Sequence, residues 1–388
     1  TDAQAYALNV GAAPALKADD YEQKEFGGST NLVFDEATAR TLTVVTNVTI
    51  GPAGGFFTPN AGTVTTHVLS IGGNLTNNGL LDFSTAANLA GAGIVFTGAN
   101  NATYSGTGTT NDVRTITVNK GTSRDSVLEL TTTNFTVQGA NTDSATAGYL
   151  TITNGTFKVS GTFTADLRTF PVAAYTIPAT GGLWLNNPNY SVTGQNASPS
   201  NNGLLRISNG TFNVGTSSGN SLGGTTGASF VIEGGVLNTA GRLQTTSAVS
   251  YTQSGGAVNV CTVGNTATSG CFGLTSTANT FDMTGGTITL VTPSGSATPL
   301  DYSVSTSATF LASPAGTVLN VGTGAGAAAY RVLGATPSLN IPAEKTMHVG
   351  SGTAGGAIFF RGSTIVNDGV IAVQGTGASS RFDFAAAG

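Results

Sequence analysis

The stretch Gly210-Thr211-Phe212-Asn213-Val214 decides the fold, because it is one copy of a pattern that recurs along the chain. In each copy a glycine-containing turn precedes an apolar, a polar and an apolar residue, and a cluster of Gly, Ser or Thr follows. Because side chains alternate across a β-strand, the pattern predicts a short strand with two inward apolar residues and an outward middle residue. The triplets are Phe157-Lys158-Val159, Leu185-Asn186-Asn187, Phe212-Asn213-Val214, Leu237-Asn238-Thr239, Val258-Asn259-Val260, Ile288-Thr289-Leu290, Leu319-Asn320-Val321, Met347-His348-Val349 and Ile371-Ala372-Val373.

The spacing of the triplets is close to constant. Their middle residues recur at intervals of 28, 27, 25, 21, 30, 31, 28 and 24 residues, with a mean near 27. A fixed period of roughly 20–50 residues is typical of stacked repeats, whereas a β-sandwich shows strands at about 8–12 residues without a longer period. We therefore predict an all-β fold, a parallel β-helix (β-solenoid) of about 13 coils of roughly 27 residues, forming a rod on the order of 60 Å.

The stacking is expected to place the first residue of every triplet in one inward column, one residue per coil. An additional copy, Leu81-Asp82-Phe83, follows the turn Asn77-Asn78-Gly79 upstream.

The unusual composition agrees with this fold. Charged residues make up only 9% of the chain, yet 39% is hydrophobic and Gly reaches 55 residues. Equivalent residues of successive coils lie about 4.8 Å apart, so a repeated charge would face like charges above and below it. Asn side chains can instead form hydrogen-bonded ladders, and Asn is the middle residue in five of the nine triplets.

The first 40 residues differ from the rest. Nine of the 33 charged residues fall between Lys17 and Arg40, and Ala15 to Phe26 could form a short helix after Pro14. Because open solenoid ends need polar caps, we predict a small N-terminal charged cap over 1–40, with a flexible linker as the alternative. The solenoid repeat domain is expected over 41–388.

Charge and hydropathy limit the partners. The net charge is −5 with 14 scattered basic residues, whereas nucleic-acid binding needs a concentrated cationic surface. No apolar run approaches the roughly 20 residues of a membrane helix. We expect no nucleic-acid partner, no membrane-spanning segment, and either a removed signal peptide or a piece of a longer protein.

The sequence offers little for catalysis. His67 and His348 are the only histidines and are expected to lie roughly ten coils apart, and the acidic residues beyond the predicted cap are sparse. No phosphate-binding loop, nucleophile elbow, zinc motif or calcium loop occurs. We predict no enzyme, no cofactor and no metal site. The single tryptophan, Trp184, is expected to point outward, where it could pack under a neighbouring loop or stack on a sugar ring.

Two cysteines, Cys261 and Cys271, follow Asn259-Val260 in a long interval. The extra length suggests a loop leaving the coil, and a disulfide at its base would fit an oxidising compartment. The alternative is two unrelated buried thiols.

Three stretches resemble the repetitive β-helical surface proteins of the Bacteroidetes, many of them exported by the type IX route. They are Gly73-Asn-Leu-Thr-Asn-Asn-Gly-Leu-Leu-Asp-Phe-Ser84, Ile94-Val-Phe-Thr-Gly-Ala-Asn-Asn-Ala-Thr-Tyr-Ser-Gly-Thr-Gly-Thr-Thr110 and Arg114-Thr-Ile-Thr-Val-Asn-Lys-Gly121. The resemblance implies an extracellular or cell-surface adhesin, stalk or filament. It also implies possible O-glycosylation at Ser126 and Ser144, because Asp125-Ser126-Val127 and Asp143-Ser144-Ala145 match the group's motif. A C-terminal sorting domain of that group is not recognisable in the sequence.

Three functions follow as hypotheses. The first is a structural rod or filament subunit at the bacterial cell surface, the second an adhesin or glycan-binding module, and the third a polysaccharide-active β-helix enzyme. Aligned exposed aromatic residues would favour glycan binding, and converging carboxylates would favour the enzyme. Contacts between copies would favour the filament.

The last strand supports the first hypothesis. In Arg381-Phe382-Asp383-Phe384, Phe382 and Phe384 alternate with an acid, as in a strand with one apolar face. An exposed strand edge invites another chain, so the expected partners are copies of this chain or neighbouring domains of a longer chain.

Overall fold

The structure, a computed structural model, is all-β and describes most of the chain. The described residues are 3–5, 8–10, 31–137, 148–265, 270–292, 302–304, 318–321, 328–332, 339–341, 346–349, 356–360, 365–373 and 381–384. They divide into two compact units. The first unit is Thr1–Val172 with Pro178–Val192, and the second is Ala173–Ile177 with Thr193–Gly388.

The first unit consists of short strands and one 3-10 helix, Ala86–Asn88. Its strands are β1 (Ala3–Ala5), β2 (Leu8–Val10), β3 (Asn31–Val33), β4 (Thr41–Val44), β5 (Val48–Ile50), β6 (Gly55–Phe57), β7 (His67–Ile71), β8 (Leu75–Asn77), β9 (Leu80–Asp82), β10 (Ala92–Phe96), β11 (Ala102–Ser105), β12 (Thr110–Val113), β13 (Thr115–Asn119), β14 (Val127–Leu130), β15 (Thr136–Val137), β16 (Leu150–Val159), β17 (Ala165–Leu167) and β19 (Gly181–Val192).

The second unit is built in the same way. Its strands are β18 (Thr176–Ile177), β20 (Ser200–Asn201), β21 (Leu204–Val214), β22 (Gly223–Gly224), β23 (Ser229–Ile232), β24 (Val236–Thr239), β25 (Leu243–Thr245), β26 (Ser250–Val260), β27 (Phe272–Leu274), β28 (Thr280–Leu290), β29 (Tyr302–Val304), β30 (Val318–Val321), β31 (Ala328–Val332), β32 (Leu339–Ile341), β33 (Thr346–Val349), β34 (Gly356–Phe360), β35 (Ile365–Asn367), β36 (Val370–Val373) and β37 (Arg381–Phe384).

Each coil of the first unit has three sides, and every strand pairs in parallel with its equivalent in the next coil. The first side contains β1, β4, β7, β10, β13 and the start of β16. The second contains β2, β5, β8, β11, β14, the end of β16 and β19. The third contains β3, β6, β9, β12 and β15. Parallel pairing between sequential coils defines a β-solenoid, as predicted.

The second side of the second unit contains the predicted inward column. Phe212, Leu237, Val258, Ile288, Leu319, Met347 and Ile371 are successive Cα partners along the strands. The side chains of Phe212, Leu237 and Val258 have no exposed surface. The period of the triplets therefore predicted the register of this side correctly, because only one alignment buries both apolar residues of each triplet.

The register differs from the prediction in one coil of the first unit. Phe157 pairs with Leu183, and Leu185 pairs with Val159 instead. Leu183-Trp184-Leu185 is thus the triplet of this coil, and Asn187 is buried with its Nδ2 donating to the carbonyl oxygen of Phe163 at 2.9 Å. The predicted triplet Leu185-Asn186-Asn187 overlaps the observed one and ends in a polar residue, whereas Leu183-Trp184-Leu185 places a Leu at both inward positions.

The upstream copy Leu81-Asp82-Phe83 also lies elsewhere than predicted. Leu81 belongs to β9 on the third side of its coil, where it pairs with Phe56 of β6. On the second side of that coil, β8 takes the place of the triplet. All three sides carry alternating apolar residues, so composition alone does not identify the side.

The number of coils differs slightly from the predicted 13. Among the described residues, each unit contributes seven strands to its second side. The count for the first unit includes β2, which lies within the predicted cap and pairs with β5. β1 and β3 likewise pair with β4 and β6. The proposed helix from Ala15 to Phe26 lies outside the described residues, and the charged cap over 1–40 stays a prediction.

Aromatic residues fill the coil interiors at several places, of which two serve as examples. In the first unit Phe34 stacks on Phe56 at 5.3 Å between ring centroids, and Phe83 meets Phe56 edge-on at 4.8 Å. In the second unit Tyr251 stacks on Phe281 at 5.2 Å. These inward layers hold successive coils together and leave the alternate residues facing outward.

Candidate functional site

The strand edges at the C-terminal end form the first candidate site. β36 pairs with β33, and β37 pairs with β34 through Ile358 with Phe382 and Phe360 with Phe384. Within the described ranges, no strand pairs with the other edge of β36 or β37. The backbone N–H and C=O groups along that edge can accept a further strand.

The N-terminal coil has the corresponding edges. β1, β2 and β3 each pair with a strand of the following coil, on one edge only as far as the structure describes the chain. The strands succeed one another in the order first side, second side, third side, as in the other coils of the unit. β1 to β3 thus leave open the edge that precedes a coil, whereas β36 and β37 leave open the edge that follows one, and unlike edges of this kind can receive each other.

A charged row crosses the outward face of the first unit. Glu129, Lys158 and Trp184 are successive Cα partners in β14, β16 and β19. The Lys158 Nζ lies 2.8 Å from the Glu129 carboxylate and 4.2 Å from the centroid of the Trp184 ring. Burial would raise the pKa of Glu129, but hydrogen bonds from Lys158 and Ser160 outweigh it and hold that pKa below its usual value. Trp184 thus packs against a lysine of the preceding coil.

A second ion pair lies on the second unit. Arg206 donates to both oxygens of Glu233 at 3.0 and 2.7 Å, and Ser208 Oγ also donates to this carboxylate. Burial would raise the pKa of Glu233, and these hydrogen bonds lower it overall. The two partners are 27 residues apart, one coil period. Opposite charges one period apart were the signal that could have revealed both pairs.

Asn side chains form the predicted ladder. Asn259 Nδ2 donates to Asn238 Oδ1, and Asn238 Nδ2 donates to Asn213 Oδ1, both at 2.9 Å. The Asn238 amide thus accepts a hydrogen bond from the following coil through its oxygen and donates one to the preceding coil through its nitrogen. The neutral ladder explains how a repeated polar residue can be stacked without like-charge repulsion.

The histidines do not form a catalytic constellation. His67 is buried, its Nδ1 accepts the Arg40 backbone N–H at 3.1 Å, and its ring stacks on Phe34 at 4.7 Å. Burial lowers the pKa of His67 below its ordinary value. His348 occupies the predicted middle position, paired with Asn320 and Ala372. Among the described residues, no three His, Cys, Asp or Glu side chains gather in a group that could hold a metal.

Both cysteines are buried, and no disulfide joins them in the structure. The Cys271 thiol donates to the carbonyl oxygen of Thr292 at 3.1 Å. Cys261 has a φ of +56°, a value that L-residues rarely adopt, where the chain leaves β26. The disulfide stays a prediction.

Of the two proposed glycosylation sites, only Ser126 lies among the described residues. Ser126 Oγ donates to the carbonyl oxygen of Ala99 at 2.6 Å in the turn before β14. Neighbouring Asp125 is exposed and accepts a hydrogen bond from Ser123. Ser144 lies outside the described residues.

Sequence reasoning missed two groups of buried polar residues. Lys120 is fully buried with its Nζ donating to the Thr97 carbonyl oxygen at 2.8 Å, and burial lowers its pKa. The Tyr190 hydroxyl lies 2.7 Å from that of Tyr149 and 2.8 Å from that of Thr169. The period of the triplets does not mark these residues, because they belong to other sides of the coil than the triplets.

Fold and edges thus define the class of protein as a parallel β-solenoid. No protein-family model, curated protein or solved structure matches the chain. In the part that the structure describes, no helix is long and apolar enough to cross a membrane.

Proposed function

We propose that the chain is an extracellular structural protein, a rod or filament subunit at the bacterial cell surface, which assembles with copies of itself. The observation that carries the proposal is the pair of unlike strand edges, β35 to β37 at one end and β1 to β3 at the other. A head-to-tail contact between unlike ends continues into a filament unless the rotation closes it.

The sequences of the two ends suit such a contact. Ile371-Ala372-Val373 in β36 and Leu8-Asn9-Val10 in β2 have the same apolar-polar-apolar order. A second copy whose β2 added in parallel to β36 would continue the inward column from Ile371 to Leu8. The same addition would pair β1 with β35 on the first side of the coil and β3 with β37 on the third side. Three pairs of strands would then form together.

Removing the last strand tests this proposal. A chain ending at Gly375 lacks β37, whereas a chain ending at Phe384 keeps it and loses only the final Ala-Ala-Ala-Gly. We expect the full chain and the longer truncation to form concentration-dependent polymers in sedimentation velocity, and the shorter truncation to remain monomeric with unchanged circular dichroism.

Two results would contradict the proposal. Full-length protein that stays monomeric at high concentration would favour the alternative that the edges meet neighbouring domains of a longer chain. Equal polymerisation of both truncations would exclude β37 as the joining strand.

Glycan binding is the second candidate, and the outward position of Trp184 is the observation that favours it. Aromatic rings and nearby charged side chains are common on binding surfaces, although Lys158 already covers part of this ring. Because Trp184 is the only tryptophan, its fluorescence reports directly on this surface. A saturable change on adding surface polysaccharides, abolished in Lys158→Met, would support this function, and an unchanged spectrum would argue against it. The non-enzymatic interpretation stays a prediction.

A further inference from the structure

One coil of the second unit contains an insertion whose ends stay in register. Asn238 pairs with Asn259 on the second side, and Leu243 pairs with Phe272 on the third side. The chain needs five steps to pass from Asn238 to Leu243 but thirteen from Asn259 to Phe272. The corner therefore contains eight more residues in this coil than in the preceding one.

The two cysteines lie at the base of this insertion. Extending the register of the third side by one residue aligns Cys271 with Arg242. Two backbone hydrogen bonds place both cysteines beside the stretch from Gly241 to Leu243 of the preceding coil. Cys261 N–H donates to the Gly241 carbonyl oxygen at 2.7 Å, and Leu243 N–H donates to the Cys271 carbonyl oxygen at 3.0 Å.

These contacts bring both cysteines to the same corner. Gly241 and Leu243 are two residues apart, and two residues span at most about 7 Å even when fully extended. Both cysteine backbones are held beside this short stretch, and such proximity is what a disulfide requires, because it joins Cα atoms about 4.4–6.8 Å apart.

Both cysteine side chains are fully buried, and the described residues contain no metal-binding group. The Cys271 thiol makes a weak hydrogen bond to Thr292, and Asn265 Nδ2 approaches its sulfur at 3.9 Å. A bridge would close the base of the insertion and fix both ends of the corner.

We infer that Cys261 and Cys271 are an oxidative modification site that forms an intramolecular disulfide clasp at the base of the insertion. Oxidised glutathione can supply the oxidant. One cysteine thiolate attacks its S–S bond, giving a mixed disulfide and one reduced glutathione. The second thiolate then displaces the other glutathione, so that two thiols lose two protons and two electrons, and one oxidised glutathione becomes two reduced molecules.

Refolding in a glutathione redox buffer tests the inference, because the unfolded chain gives the oxidant access to both buried thiols. After alkylation, peptide mass spectrometry identifies free thiols, mixed disulfides and the internal bridge. The matched control is the double variant Cys271→Ser/Thr275→Cys, which moves one thiol four residues along to an exposed position past β27. We expect most wild-type chains to contain the bridge under conditions that leave the control as free thiols or glutathione adducts.

A second measurement does not depend on the control folding. Oxidised wild-type protein should unfold at a higher denaturant concentration than the same protein after reduction, because the clasp restricts the unfolded chain. Wild-type protein that yields only free thiols or glutathione adducts would overturn the inference, as would an oxidised form that unfolds at a lower concentration. The inference does not rest on self-assembly.

Discussion

At the residue scale, a glycine at the entrance to the second side determines whether the coil can turn. Gly256 has a φ of +66°, and a Cβ atom there would lie 2.5 Å from the Gly234 carbonyl oxygen of the preceding coil. Both the dihedral angle and the close approach exclude other residues. Gly210, Gly235 and Gly286 occupy the same position in their coils and also have positive φ.

The geometry at Gly256 predicts a large loss of unfolding free energy in the variant Gly256→Ala. The left-handed conformation costs about 1–2 kcal/mol for an L-residue, and relieving the clash adds about 1–3 kcal/mol. Gly227→Ala is the matched control, because Gly227 has a φ of +89° but nothing within 4 Å of the added Cβ. Urea denaturation should show the full loss of unfolding free energy only in Gly256→Ala, and equal losses would refute the close-approach argument.

The burial of His67 predicts that the N-terminal coils lose stability as the pH falls. Its neutral Nδ1 accepts the Arg40 N–H, and burial lowers the pKa of His67 in the folded state. Stability from the neutral ring is complete above the unfolded pKa of about 6.5. It is lost as the pH falls toward the lower folded pKa, by up to about 1.4 kcal/mol per pH unit.

Hydrogen exchange between pH 7.5 and 6.0 measures this effect. The Arg40 amide should lose protection at the lower pH in wild-type protein but not in His67→Gln, whose side chain still offers an acceptor. His348→Gln serves as the control and should behave like wild type. The Asp35 carboxyl, which accepts hydrogen bonds from Arg40 and has a pKa of about 2, stays charged throughout this range. Unchanged Arg40 protection in wild type would contradict the account.

The outward Asn residues could be predicted from the sequence, whereas buried polar residues could not. Asn213, Asn238 and Asn259 alternate with apolar neighbours, so the period of two assigns them to the outer face. Lys120 follows the alternation of the buried Ile116 and Val118. His67 shares one face of β7 with the buried Leu69 and Ile71. Their burial was missed because a Lys side chain is usually exposed and a His side chain is buried less often than an apolar one.

At the element scale, strands of successive coils are joined by charge as well as by backbone hydrogen bonds. The pair Arg206–Glu233 spans one coil period, and both side chains are about one-third exposed. An exposed ion pair contributes only about 0.2–1 kcal/mol. Glu233→Lys replaces this attraction by repulsion between stacked positive charges, so the expected loss is about 1–2 kcal/mol.

The double variant Arg206→Glu/Glu233→Lys provides the control for that prediction. Exchanging the charges restores the attraction, although Ser208 loses its carboxylate acceptor. Denaturation of the four proteins in the double-mutant cycle should give a double variant more stable than Glu233→Lys alone. A double variant as unstable as the single one would show that the pair does not couple the coils.

The register of the elements was predictable where a glycine corner and a triplet coincide. All seven triplets from Phe212 to Ile371 align as expected, because burying both apolar residues permits one register only. The alignment of Leu185 was wrong by two residues, since the run Leu183-Trp184-Leu185-Asn186 fits the same period in either register. Leu81 was assigned to the wrong side, because all three sides share the same alternation.

At the scale of the whole molecule, fold class and coil length followed from the period of the repeat and the low content of charge. The short strands β1 to β3 were not predicted, because the charges between Lys17 and Arg40 led to the interpretation of this region as a cap. The function could not be derived in the same way. Rods, adhesins and enzymes with a solenoid fold have similar outward residues. The function of a solenoid therefore depends on which molecules bind to its faces and ends.

Electron cryomicroscopy of the full-length protein at increasing concentration tests the central claim, that one copy continues into the next through the terminal strands. The account predicts filaments in which strands lie across the axis at about 4.8 Å spacing. That spacing should continue from β37 of one copy into the first coil of the next. Particles of single-chain size at every concentration, or copies joined side by side with their terminal strands free, would contradict it.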